Sequence, residues 1–300
     1  STHIFTDPSG LAGATNLTVA ASSTLELEFN TTSSPWTDLT TLTVAGTLTH
    51  RTNSSTIAHT ISVEATNITI SAGGLVDANG KGYDGGPEDS DGVGPGAGSF
   101  YTDKGSGGAY GGDGGVSAAG DAGGVAYGVS STPHAHAGSG GGGQSHTAGG
   151  DGGGIIYLVA SNTLTLNGTV RAEGSAGGHS CGGNPSTGAG GGAGGGIYLE
   201  GDVLTGTTGV VSVNGGSGGG NGADCRSGGG GAGRILLTAS TTYGFSGSVT
   251  ASGGPSGGTS SVEDGEDGSN ILRLEKPTVL YSNSTDASAG SVNPTGLTSI

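Results

Sequence analysis

Residues able to do chemistry are few in this chain, and they gather in short runs. Glu88-Asp-Ser-Asp91-Gly92 and Glu263-Asp-Gly-Glu-Asp267-Gly-Ser-Asn270 hold seven of the 24 acidic residues in two glycine-containing turns. Calcium takes about six to eight hard oxygen ligands from flexible loops of this kind, which makes Asp89, Asp91, Asp264 and Asp267 candidate ligands. Neither run matches a full calcium-binding loop, and solvated acidic turns are the commoner reading of such runs. His134-Ala-His136 with His146 offers imidazoles to a transition metal, although no cysteine stands near them. Six N-x-[ST] sequons begin at Asn16, Asn30, Asn53, Asn67, Asn167 and Asn283. On a secretory route such asparagines accept glycans, but a Ser/Thr-rich chain also produces the pattern by chance. There is no Ser–His–Asp order, no Walker loop and no His-Glu-x-x-His, and the glycine runs lack the Lys-Ser/Thr of a phosphate loop. The chain is therefore not expected to be an enzyme, and calcium is the one cofactor with any motif behind it.

The elements that must position these residues are set by an unusual composition. Glycine makes up 71 of 300 residues, proline only 9, methionine none, and Phe, Trp and Tyr together 13. Collagen needs glycine at every third position with abundant proline, and neither holds. Helix bundles are excluded because glycine is a poor helix former and the good ones are scarce. No apolar run is long enough to span a membrane. Lys and Arg total 8 against 24 acids, a formal net charge of −16, which disfavours nucleic acid and anionic membrane as partners. Ser1 does not open a basic and apolar leader, so any signal peptide is expected to have been removed already.

Glycine is concentrated: 66 of the 71 fall between residues 73 and 270, whereas residues 1–72 carry 28 Ser and Thr. Short apolar alternations punctuate it. Ile61-Ser-Val63, Ile156-Tyr-Leu158, Ile197-Tyr-Leu199, Ile235-Leu-Leu237 and Leu272-Arg-Leu274 recur, the last four at spacings of 41, 38 and 37 residues. The first four are each followed by G-x-V-x-[AV]-x-G: Gly74–Gly80, Gly168–Gly174, Gly209–Gly215 and Gly247–Gly253. Pairs such as Leu164/Leu166 lie between the two signatures. Alternation predicts half-buried strands, and repetition predicts stacked units that bury their inner faces on each other. Ile156, Leu158, Leu164, Leu166, Val170 and Ala172 should point inward, with Tyr157, Thr165 and Arg171 outward.

The fold class that follows is all-β: a parallel β-helix (β-solenoid) of several three-strand coils, its glycine-rich insertions packing as polyproline-II-like segments. Residues 1–72 form Ser/Thr-rich β coils or a cap. Residues 73–281 form the glycine-rich solenoid with a long insertion at 83–153, and residues 282–300 form a C-terminal extension. Cys181 and Cys225 fall in insertions of consecutive coils, where stacking would bring them together as a disulfide; two free thiols are the alternative.

These repeats resemble the parallel β-helix of pectin-lyase-like and autotransporter-passenger-like surface proteins, in a glycine-rich variety, over roughly residues 16–281. The resemblance implies architecture and a secreted or cell-surface location, not one activity, because such folds host enzymes, adhesins and scaffolds alike. The lyases among them carry acidic calcium ligands and a basic proton acceptor on one outer face. Here the outward positions are mostly Ser, Thr, Tyr and Asn, and Arg171 with Glu173 reads as a surface ion pair. The function expected is an extracellular structural glycoprotein, a subunit of an appendage, filament or surface layer that self-associates into a homopolymer by strand addition or end-to-end stacking. The alternative is an adhesin or carbohydrate-binding module that uses Tyr83, Tyr101, Tyr110 and Tyr127 of the 83–153 insertion. Ice binding is a remoter reading.

Overall fold

A computed structural model describes residues 1–6, 15–28, 36–101, 104–117, 120–180, 187–220, 226–257, 264, 269–274 and 279–282. Nearly all regular structure is strand. In chain order the strands begin with β1 (Thr2–Phe5), β2 (Asn16–Val19), β3 (Thr24–Leu27), β4 (Trp36–Val44), β5 (Thr47–His50), β6 (Ile61–Ile70) and β7 (Leu75–Asp77). The insertion adds β8 (Phe100–Tyr101), β9 (Lys104–Gly105) and a 3-10 turn at Pro133–Ala135. Then come β10 (Ile155–Leu166), β11 (Thr169–Arg171), β12 (His179–Ser180), β13 (Thr187–Gly188), β14 (Gly196–Gly206) and β15 (Val210–Ser212). The series closes with β16 (Arg234–Phe245), β17 (Ser248–Thr250), β18 (Ser269–Leu274) and β19 (Val279–Ser282).

These strands make two large sheets, and the three-strand β-helix expected from the sequence is corrected by them. One sheet has seven strands in the order β1-β3-β5-β7-β11-β15-β17, all parallel. The other has eight, β19-β18-β16-β14-β10-β6-β4-β2, parallel except for the β18–β19 pair. The architecture is a layered two-sheet one. The physical reason lies in residues 155–166. Ile156/Leu158 and Leu164/Leu166, read as two strands of a three-faced coil, run as one 12-residue strand with a register shift between Ala160 and Thr163. A bulge of this kind lets inward-facing residues resume their phase without a corner. One corner and one face are lost in each repeat.

The repeat itself is visible in the register. Ile61, Ile156, Ile197 and Ile235 align across four strands, as do Val76, Val170, Val211 and Val249 in the other sheet. The last repeat enters two residues off the expected phase: Leu272 pairs with Leu237, and Ile235 with Asn270. Side chains from both sheets form one apolar cluster, including Leu27, Leu48, Val76 and Val170 from the first and Ile68, Ile156, Leu164 and Leu237 from the second. All six predicted inward residues are at most 1% exposed. At about 1.5–3 kcal/mol per large aliphatic side chain buried, this cluster dominates the stabilisation of the sheets.

The glycine segments lie beside the sheets and bond to one another through their backbones. Gly141 donates to the Gly150 carbonyl at 2.9 Å, Gly150 to Gly190 at 2.9 Å, and Gly190 to Gly142 at 2.8 Å. A Cβ on Gly141 would fall on the Gly190 carbonyl oxygen, far inside van der Waals contact. Only a residue without a side chain lets the segments approach this closely. The small four-stranded sheet, β12-β13-β9-β8, is built from pieces of the same segments.

Candidate functional site

The long insertion folds back over the outer face of the eight-stranded sheet and borders an open cleft of about 570 Å³. Alternation puts Ile61 and Val63 in the core and sets Ser62 and Glu64 on the opposite face of β6, where Ser62 is 6% exposed under the insertion and Glu64 is half-buried; on β10 it buries Ile156 and Leu158 and presents Tyr157. Thr60, Ser62, Glu64 and Tyr157 form the sheet side of the cleft, and Thr132 and His134 form the other wall.

Three contacts hold the turn that carries His134. Pro133 supplies a preset φ at its first position. The buried Tyr110 hydroxyl donates to the Pro133 carbonyl at 2.6 Å. Gly196 opens β14 because a Cβ there would occupy the place of that same carbonyl oxygen. Behind the turn, Tyr110, Tyr127 and His136 pack ring to ring, with Tyr110 and Tyr127 at 5.1 Å. The Arg234 guanidinium lies 5.6 Å from the Tyr110 ring centre and donates to the Tyr127 carbonyl at 3.0 Å.

In the cleft the aromatic groups are arranged by strand register. Ser62, Tyr157 and Tyr198 are aligned on β6, β10 and β14. The Tyr157 and Tyr198 rings stack at 5.2 Å and 14°. His134 packs on both, at 4.8 Å and 5.0 Å. Tyr157 donates to Glu64 Oε1 at 3.3 Å, and Tyr198 donates to Glu200 Oε2. Burial first, then the Glu64 carboxylate, pushes the Tyr157 phenol up to about 12. Burial, followed by the bond to Glu200, raises Tyr198 as well. Burial lowers His134, whose Nδ1 is enclosed without a hydrogen-bond partner among the described residues. At neutral pH the rings are therefore uncharged, and the formal charge beside them comes from carboxylates. Such a site offers flat apolar faces next to hydrogen-bond acceptors, which suits binding better than proton transfer.

The residues singled out from sequence are dispersed. His134 and His136 enter different ring clusters, and His146 is exposed at positive φ. Asp89 accepts from Ser145 at 2.8 Å, Asp91 from the Phe100 amide at 2.6 Å, and Asp264 from the Ser256 amide. Among the described residues no three His, Cys, Asp or Glu side chains converge to hold a metal ion. Cys181, Cys225, Asn30, Asn283 and Asp267 lie outside the described residues. Asn16 is exposed, whereas Asn67 and Asn167 are half-buried and accept from Asn162 and from the Thr207 amide. Asn53 is 4% exposed and fully bonded. Its Nδ2 donates to the His59 and Lys81 carbonyls, and its Oδ1 accepts the Ala58 and His59 amides. A glycan on Nδ2 would break that set.

The tyrosines of the insertion do not make an open surface: Tyr110 is fully buried, and Tyr127 is half-buried with its hydroxyl bonded to Ala137 and Ser139. Tyr83 is also half-buried, and the Tyr101 side chain lies outside the described residues. Arg171 pairs with Asp77 on the neighbouring strand, at 3.0 Å, rather than with Glu173. Glu173 instead sits between the Asn79 and Asn214 amides, at 3.1 Å and 3.0 Å. Sequence reasoning missed the Tyr157–Tyr198–His134 group. The recurring Ile-Tyr-Leu triplets were the available signal, since aligned triplets stack their tyrosines.

No family model matches the chain, and no curated protein or solved structure matches it either. The resemblance to pectin-lyase-like and autotransporter-passenger-like proteins thus gains no support, and function is read from the site and the sheet edges.

Proposed function

We propose that this chain is an extracellular structural protein, a subunit of a surface appendage, filament or surface layer that assembles end to end by strand addition. One observation carries the reading. Among the described residues nothing pairs with the outer edge of β1 or of β17, the two ends of the all-parallel seven-stranded sheet. Open edges invite pairing with another chain, and β1 of one copy laid on β17 of the next would continue the sheet in the same direction. Repetition of that head-to-tail contact gives an open polymer. The rigid glycine packing, the Ser/Thr-rich exterior and the sequons at exposed or half-buried asparagines fit an extracellular scaffold.

The test is sedimentation and negative-stain electron microscopy over a concentration series. The Ser1 carbonyl accepts from Thr24 of β3 and the Phe5 carbonyl from Glu28 just past its end, so alternation turns the Thr2 and Ile4 backbone groups to the open side. Ile4→Pro removes one outward amide without touching the bonds to β3. Wild type should form concentration-dependent chains and Ile4→Pro should remain monomeric with unchanged melting. A wild-type protein that stays monomeric at high concentration refutes the assembly.

A further inference from the structure

We infer that the cleft between β6, β10 and the Pro133–Ala135 turn is a binding site for a neutral pyranose, seated over Ser62 against the free face of Tyr157. This goes beyond the assembly reading and does not depend on it. Three features carry the inference. First, the ring ladder is unfinished. Tyr198 and Tyr157 occupy successive strands and stack at 5.2 Å, but the aligned position on β6 is Ser62, which has no ring. A flat six-membered ring placed there would be the third in the stack, and the C–H face of a pyranose has the shape and polarity an aromatic face accepts.

Second, the space is present and lined for hydroxyl groups. The cleft holds about 570 Å³, inside the roughly 300–1,000 Å³ of small-molecule sites. Its polar lining is Glu64, Thr132 and His134, with the buried Thr60 and Ser62 at its floor. The Glu64 carboxylate accepts from sugar hydroxyls, and charge-assisted bonds of this type are the stronger ones. Third, the charge selects among ligands. Among the described residues no Lys or Arg lines the cleft, and Glu64 repels anions, so a uronate or a phosphorylated sugar is disfavoured relative to its neutral counterpart.

The experiment is saturation-transfer NMR on the full chain with methyl glycosides of glucose, galactose, mannose, N-acetylglucosamine and xylose and their β-linked disaccharides. Methyl glucuronide and choline serve as the anionic and cationic comparisons. At least one neutral glycoside should bind saturably, with glucuronide at least tenfold weaker. Tyr157→Ala should abolish the signal, Tyr157→Phe should retain it because the ring face remains, and Ser62→Tyr should block it by filling the vacant place. If Tyr157→Ala does not fold, the contrast between Tyr157→Phe and Ser62→Tyr decides. Absence of binding by every neutral glycoside overturns the inference, as does choline binding alone or binding undiminished in Ser62→Tyr. Because these readouts are made on monomer or polymer alike, their failure leaves the assembly reading untouched.

Discussion

His50 shows how one side chain can carry a measurable pH dependence in a protein of this kind. It pairs with Leu27 across β3 and β5 and takes the same inward direction, so it is 0% exposed. Its Nδ1 lies 2.7 Å from the Arg51 carbonyl. A carbonyl only accepts, so Nδ1 carries the proton, and the buried Nε2 is left without a partner. Burial lowers its pKa from 6.5 to about 3, with Lys81 and His59 pushing the same way and the Arg51 carbonyl and Asp77 opposing. Between those two values the unfolded chain binds the extra proton and the folded one does not. Stability from this residue is therefore complete above pH 6.5 and falls as pH drops toward 3, by up to about 1.4 kcal/mol per pH unit. Urea denaturation at pH 7, 5.5 and 4 should show this slope, and His50→Leu, which copies Leu27, should flatten it. An equal slope in the variant would assign the acid sensitivity to other groups.

At the scale of elements, the strands and the glycine segments are held by different forces and respond differently to substitution. Strands are fixed by apolar burial between two sheets, while the glycine segments are fixed by backbone hydrogen bonds across distances that exclude a side chain. Gly141→Ala would drive a methyl onto the Gly190 carbonyl, and overpacking of this sort should destabilise the protein by about 3 kcal/mol. Gly244→Ala is the contrast. In β16 its Cβ would meet nothing nearer than 3.7 Å, so its effect should stay within about 0.5 kcal/mol. Thermal or urea melts of the two variants measure the difference directly, and similar effects would refute close packing of the glycine segments. The strands were legible in sequence because alternation of Ile, Leu and Val with Thr and Tyr is a direct image of one buried face. The number of strands in each repeat was not. The shift between Ala160 and Thr163 joins two expected strands into one, and nothing in Ala160-Ser-Asn-Thr163 distinguishes a bulge within a strand from a corner between two.

For the whole molecule, charge opposes the proposed end-to-end assembly. Each copy carries a formal −16, and like-charged subunits repel over about 30 Å at 0.01 M salt but only about 3 Å at 1 M. Raising sodium chloride through that range should lengthen the polymers seen by sedimentation, and shortening at high salt would mean that ion pairs, not strand pairing, make the contact. The sequence by itself determined the all-β character, the repeat, the inward residues and the concentration of glycine between strands, because these follow from local periodicity and composition. It also marked Asn53 as a glycan acceptor and Tyr110 as a recognition residue, where the folded chain buries both. Only tertiary structure decided that there are two sheets rather than three faces. It alone decided that His134 and Tyr157, 23 residues apart in the chain, meet beside Tyr198. Those outcomes depend on how a strand passes a bulge and on where a 71-residue insertion, 83–153, lays its turn, and neither is encoded in any short window of residues.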